Sequence, residues 1–153
     1  MSDLDAAAEQ TLLASRALLG VVARSIEPAL EEVSLPQFRV LVLLTAYGPM
    51  RSGAVAERMG IHPSTFSRNA DRLVAGGWVR RVEDPESRLS VLVEPTERAR
   101  LLVERVTLAR RERIVEILGR MPAEQRAVLG EALGAFAQAA GEPSLEELSV
   151  LGL

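Results

Sequence analysis

The sequence predicts a mainly α-helical chain that carries one small β-hairpin, with apolar helices flanking a mixed central segment. Three observations lead there. Apolar residues return at helical spacing through residues 5–27 and again from about residue 96 to 140. Between residues 52 and 76 two short helical patterns are separated by a turn at Gly60. Directly after them, Trp78–Val82 and Leu89–Val93 are β-rich runs separated by the turn-forming stretch Glu83–Arg88.

In the first helix, Leu12, Leu13, Ala17, Leu18, Val21, Val22 and Ile26 share a face, and Pro28 falls at its end. Ser34-Leu35-Pro36-Gln37 has the form of a capping box, with Pro inside the first turn. The helix that it opens is almost wholly apolar and stops at Gly48-Pro49, the pattern of a short central buried helix. Ser52 is placed to cap the next helix, whose Val55, Ala56 and Met59 point inward, and Ile61 follows as a buried turn residue. His62-Pro63 opens the following helix, which runs to Gly76-Gly77. Trp78 is expected to anchor the hairpin, because an isolated two-stranded hairpin is marginal in water. A long helix from Thr96 to about Gly119 carries Leu101, Leu102, Val106, Ala109, Ile114, Ile117 and Leu118. Met121-Pro122 breaks it, and a last helix spans 122–140. The tail holds a second capping box, Ser144-Leu145-Glu146-Glu147, and an apolar end.

At 153 residues and 48% hydrophobic the chain supports a core, but at 3% aromatic that core is built from Leu, Val and Ala. No window approaches the ~18 uninterrupted apolar residues of a membrane span. Met1-Ser2-Asp3-Leu4-Asp5 lacks the basic start of a secretory signal, so the expectation is a soluble, cytoplasmic protein without membrane contact. There is no cysteine, which excludes disulfides and cysteine-ligated zinc. His62 is the single histidine and has no carboxylate cluster beside it in sequence; no metal and no cofactor are expected. Paired carboxylates, a nucleophile with its base and a phosphate-cradling glycine loop are all lacking, so the chain does not read as an enzyme.

The formal charge of −3 is unevenly distributed. Residues 1–50 hold three Arg against six acids, residues 51–100 nine against seven, and residues 101–153 six against eight. The central third is the basic one, and local charge governs attraction to phosphate.

On a 100° wheel the helix after His62 puts Phe66, Ala70 and Leu73 on one side. Ser64, Ser67, Arg68, Asp71 and Arg72 lie opposite, with Thr65 and Asn69 at the flanks. Two short helices joined by a tight turn, the second with this outer face, describe a helix-turn-helix, and the hairpin behind it is a wing. Double-stranded DNA is the partner that such a unit fits. Pro63, Ser64 and Thr65 are small enough for close approach to base edges, and Arg68 is placed to reach guanine. Ser67, Asn69 and Arg72 suit phosphate or flanking contacts. The competing reading of Arg68 is a surface arginine paired with Asp71 or with the acidic neighbours of Arg72; Asp71 is also placed to orient Arg68 or Arg72. In the wing, Arg88 is the candidate for the minor groove, against a second reading as a solvated hairpin tip weakened by Glu83, Asp84 and Glu86. Of Arg80 and Arg81, one can face a phosphate, and Arg81 is the candidate.

The ordered set Leu35-Pro36-Gln37-Phe38-Arg39-Val40-Leu41, Ala54-Val55-Ala56-Glu57-Arg58-Met59-Gly60-Ile61, Ser64-Thr65-Phe66-Ser67-Arg68, Asp71-Arg72-Leu73, Gly77-Trp78-Val79, Arg81 and Asp84-Pro85 resembles the multiple-antibiotic-resistance regulator (MarR) family of bacterial transcription factors. The resemblance covers residues 34–96, and the flanking helices match in order and length. It implies a homodimer with interleaved terminal helices, two winged modules on a palindrome, and a small apolar or phenolic effector bound near the dimer helices. The apolar character of the terminal helices supports a homodimer on its own terms. The wing departs from the family's Asp-x-Arg-Asp-Arg-Arg: here it reads Asp84-Pro85-Glu86-Ser87-Arg88-Leu89, with Leu89 where the family has its pairing arginine. Pro95-Thr96-Glu97-Arg98-Ala99 replaces the usual Leu-Thr-x-x-Gly. Oxidant-sensing members use a cysteine, which this chain lacks.

The sequence thus predicts a winged helix-turn-helix at 34–96, between a dimerisation helix at 1–33 and dimerisation helices at 97–153. The expected function is sequence-specific transcriptional regulation, as a homodimeric repressor relieved by a small-molecule ligand. The alternative is a winged-helix protein-interaction module with weak or lost DNA binding. Arg16, Phe38 and Tyr47 are the candidate lining of an effector pocket, with Phe38 and Tyr47 otherwise read as core.

Overall fold

The computed structural model describes residues 2–142, so the predicted capping box at Ser144 and the apolar end lie outside the described residues. Six α-helices and three short strands follow in the order α1 (Asp3–Ile26), a 3-10 turn (Glu27–Glu31), α2 (Leu35–Tyr47), β1 (Met50–Arg51), α3 (Ser52–Met59), α4 (Pro63–Ala75), β2 (Val79–Asp84), β3 (Ser87–Pro95), α5 (Glu97–Gly119) and α6 (Ala123–Ala139). The architecture is the predicted one, mainly helical with a small antiparallel wing. No helix among the described residues is long and apolar enough to cross a membrane.

Local signals set most of the boundaries. Ser34 and Gln37 form the reciprocal capping box at the start of α2, and Gly48 ends that helix with φ +80. Thr96 accepts a hydrogen bond from the Ala99 amide and caps α5. One expectation is corrected at β1. Ser52 is the first residue of α3 rather than its cap; Arg51 occupies the cap position without a side-chain hydrogen bond. The reason is that Met50 and Arg51 are extended, paired antiparallel with Val93 and Leu92, so the strand sets where the helix starts. The sheet order is β1-β3-β2, with β3 in the middle.

One core joins these elements, α6 excepted, which contributes no buried residue. Phe66, Leu41, Leu44, Leu73, Val40, Val55, Val79 and Val93 are essentially inaccessible at its centre. Ile26, Ala29 and Val33 reach it from the N-terminal segment, and Ala99, Leu102, Val103 and Val106 from the first half of α5. The α5 stripe is therefore narrower than the periodicity suggested: Leu102 is buried while Leu101 is 55% exposed.

Trp78 ties the wing to the rest. Its amide donates to the Leu73 carbonyl at the end of α4 (2.9 Å), and its own carbonyl accepts from the Thr96 amide (3.0 Å). The indole is buried, with the Arg98 guanidinium 3.8 Å from the ring centroid. A Cβ at Gly76 would stand 2.7 Å from Trp78 Cδ1 and 3.3 Å from the Arg72 carbonyl oxygen. Gly76→Ala is therefore expected to cost about 1–3 kcal/mol through overpacking at a side chain that cannot move away. Gly77→Ala, at φ +71 in open space, is expected to cost about 1–2 kcal/mol through the left-handed backbone alone. Urea unfolding of both variants checks this, and a perturbed near-ultraviolet Trp78 signal should accompany only the Gly76 change.

Candidate nucleic-acid interface

Helix α4 begins at an imidazole. The Ser64 amide donates to His62 Nδ1 (3.2 Å), and Ser64 Oγ lies 2.7 Å from the same nitrogen. His62 thus replaces the usual Ser or Asp cap, and Pro63 follows at a position where no N–H is needed. An Nδ1 that accepts leaves the proton on Nε2, on an exposed ring, as a donor suited to a phosphate oxygen.

Phe66, Ala70 and Leu73 bury one side of α4, which fixes what the other side presents. Pro63, Ser64, Thr65, Ser67, Arg68 and Arg72 are exposed, and Asn69 is half-buried at the flank. Among the described residues, Arg68 and Arg72 enter no ion pair. The competing pairing of Arg68 with Asp71 does not form, because Asp71 is held elsewhere: Arg81 of β2 donates to its carboxylate at 2.5 Å. Asp71 therefore anchors the wing strand to α4 instead of orienting Arg68 or Arg72.

That bond also redefines Arg81. The candidate wing contact is engaged by Asp71, while Arg80 pairs with Glu94, its register partner on β3. The hairpin is longer and tighter than the sequence reading. β2 extends to Asp84, and Asp84 pairs with Ser87, so the turn proper is only Pro85-Glu86. Glu83 pairs with Val91, and Arg88, Leu89 and Ser90 are consequently looped out of the ladder as a bulge. Arg88 is exposed there and, among the described residues, free of any ion pair.

Asp84 does not weaken the field at Arg88 in the way its sequence position suggested. Its side chain is buried: the Glu86 amide donates to Oδ1 (2.9 Å), and Arg51 reaches Oδ2 through Nε (2.7 Å) and a terminal nitrogen (2.6 Å). Arg51 is the residue that sequence reasoning missed. It stands 33 positions away, and only the pairing of β1 with β3 brings it to the hairpin. The Glu86 amide first, and the Arg51 guanidinium second, hold the Asp84 carboxyl below its ordinary 3.8.

The three residues proposed for an effector pocket occupy different surroundings. Phe38 belongs to the core, Arg16 is exposed on α1, and Tyr47 is 40% exposed at the end of α2. Arg58 of α3 lies over the Tyr47 ring, 4.5 Å from its centroid, so Tyr47 is a surface residue rather than core. No group of three His, Cys, Asp or Glu side chains among the described residues could hold a metal ion.

Residues 33–91 match the MarR family. Relatives extend the match. The HTH-type transcriptional regulator ML2140 of Mycobacterium leprae is 33% identical over 100 residues, covering 65% of this chain and 70% of that protein. The chain belongs to the MarR family. The HTH-type transcriptional regulator YfiV of Bacillus subtilis is 39% identical over 69 residues, or 45% of this chain; the match spans only 43% of that relative's length. Among solved structures, RV1404 from Mycobacterium tuberculosis superposes with a TM-score of 0.80 at 37% identity, covering 95% of this chain and 99% of that one. The winged helix described above is thus that of a MarR-family transcriptional regulator.

Within that fold the Asp84 tie is open to a direct check. A lowered folded-state pKa means that the linked stabilisation is complete above 3.8 and is lost as pH falls through the lowered value. Arg51→Ala is expected to raise the Asp84 titration midpoint toward 3.8 without reaching it, since the Glu86 amide remains. Carboxyl-detected NMR titration measures the midpoint, and no change would show that Arg51 contributes nothing to it.

Proposed function

We propose that this regulator is a homodimeric repressor that reads a palindromic operator in double-stranded DNA and is released by a small apolar or phenolic ligand. The outer face of α4 carries the reading. It presents small polar side chains and two arginines without ionic partners among the described residues, and its far side is locked into the core. Pro63, Ser64 and Thr65 enter close to the base edges. Arg68 makes the bidentate contact to guanine, and Ser67, Asn69 and Arg72 hold phosphates. The fold is compatible with this use: Streptococcus pneumoniae FabT, which shares it at a TM-score of 0.67 and 16% identity, was solved in complex with DNA.

Dimerisation rests on the terminal helices. None of the α6 residues is buried, and Val128, Leu133 and Phe136 are 67%, 47% and 59% exposed. Leu4, Leu12 and Leu13 of α1 are equally open, and Leu4, Ala7, Ala8, Leu12 and Phe136 line an apolar groove between the two helices. An apolar surface of this extent calls for a partner, and a second copy supplies it symmetrically. Two-fold symmetry then yields two recognition helices and half-sites about one DNA turn apart. For release, Tyr47 is the key residue. A ligand that competes with Arg58 for its ring acts on α3 of the reading unit, and neither Arg16 nor Phe38 is needed for that.

The alternative, a protein-interaction module without strong DNA binding, draws on the acids of the wing and on the net charge of −3. Two acids near the candidate interface, Asp71 and Asp84, have arginine partners, which reduces that motive. Binding measured across salt concentrations separates the readings, because counterion release makes DNA affinity fall steeply with salt.

The protein should sediment as a dimer and protect about 16–20 base pairs. Arg68→Ala should lose about 1–3 kcal/mol of discrimination at one base pair of each half-site while the dimer persists. Fluorescence anisotropy with matched and mismatched operators tests this; equal discrimination by the variant would remove Arg68 from the reading role.

A further inference from the structure

Leu89 is 99% exposed, more than any other large hydrophobic residue of the described chain, although it lies within a strand segment. It sits at the middle of the three-residue bulge Arg88-Leu89-Ser90, between the Asp84–Ser87 and Glu83–Val91 pairs. A bulge re-aims side chains, and this one takes an apolar side chain wholly out of the sheet. Two ties keep the bulge from being a loose tip. Arg51 and the Glu86 amide hold Asp84 at the hairpin end, and Ser90 Oγ donates to Ser87 Oγ across the base of the bulge (3.3 Å). The Arg81–Asp71 pair fixes the same hairpin to α4, and the three strand steps from Arg81 to Asp84 carry the tip about 10 Å beyond that pair. A major groove is about 12 Å wide, so a tip carried this far from a helix lying at the middle of that groove reaches past its edge.

We propose that Leu89 is an apolar wedge that enters the minor groove beside each half-site and unstacks a base step, with Arg88 neutralising the phosphate next to it. The inference rests on the DNA-reading function proposed above. Apolar side chains that enter a minor groove kink the duplex, and flexible pyrimidine–purine steps unstack most easily. A wing built this way trades the sequence-independent pull of several arginines for a preference in DNA deformability. It adds specificity at positions flanking the half-sites that no polar side chain reads.

The test compares the full-length protein with Leu89→Ser and Arg88→Ala on an operator selected by the unaltered protein. Leu89→Ser should weaken binding roughly ten- to a hundred-fold, as expected for withdrawing one buried leucyl side chain. Its salt dependence should be unchanged, and the DNA bend read by end-to-end energy transfer should shrink. Arg88→Ala should instead lower the slope of log affinity against log salt by about 0.9 per site. Replacing a flanking TA or CA step by a stiff A-tract should reproduce the Leu89→Ser loss in the unaltered protein. Unchanged affinity and bend in Leu89→Ser would overturn the wedge, as would a change in self-association of the free protein, which would assign Leu89 to contacts between copies. Failure of the unaltered protein to bind any DNA would instead reject the underlying function.

Discussion

The seat of Trp78 is the constraint on which the reading unit depends. Through one residue the end of α4, the start of β2 and the cap of α5 are joined: its amide holds Leu73, its carbonyl takes Thr96, and its ring fills the space beside Gly76 under Arg98. Direct readout requires side chains held in register to within a fraction of a base step. The burial of Phe66, Ala70 and Leu73 fixes the roll of α4, and Trp78 fixes where the wing leaves it. With both set, the outer face of α4 and the tip of the hairpin have a defined relation.

Ion pairs refine that relation. Arg81 and Asp71 are both partly exposed, so their bond contributes little to stability and mainly orients β2 against α4. Arg51 and Asp84 act at the other end of the hairpin, where the carboxylate also takes the Glu86 amide. The result is a division among the arginines of the central third. Arg51, Arg80, Arg81 and Arg98 are structural and Arg58 covers Tyr47, whereas Arg68, Arg72, Arg88 and Arg100 are exposed without ionic partners among the described residues. The basic surplus of that third overstated the charge available to DNA, and the acidic surplus around the wing overstated the repulsion.

Local chemistry made much of this legible in sequence. Ser34 and Gln37, His62 before Pro63, and Thr96 each announce a helix start within four residues, and the structure forms those caps. The buried side of α4 followed from 3.6-residue periodicity. Features made by distant pairing were not legible. Arg51 becomes both a strand residue and the partner of Asp84 only because β1 adds to the sheet. The bulge at Arg88–Ser90 arises from a register shift after Glu83, which no local pattern encodes. Leu101 and Tyr47 look like core residues by type, yet α5 buries one narrow stripe and α2 ends at the surface.

The measurement that bears most directly on the account is selection of genomic fragments by the purified, unlabelled full-length protein at moderate salt. One palindrome should be enriched, with half-site centres about 10 base pairs apart and a guanine in each half-site. Recovery of no common sequence, even at low salt where non-specific affinity is highest, would contradict it.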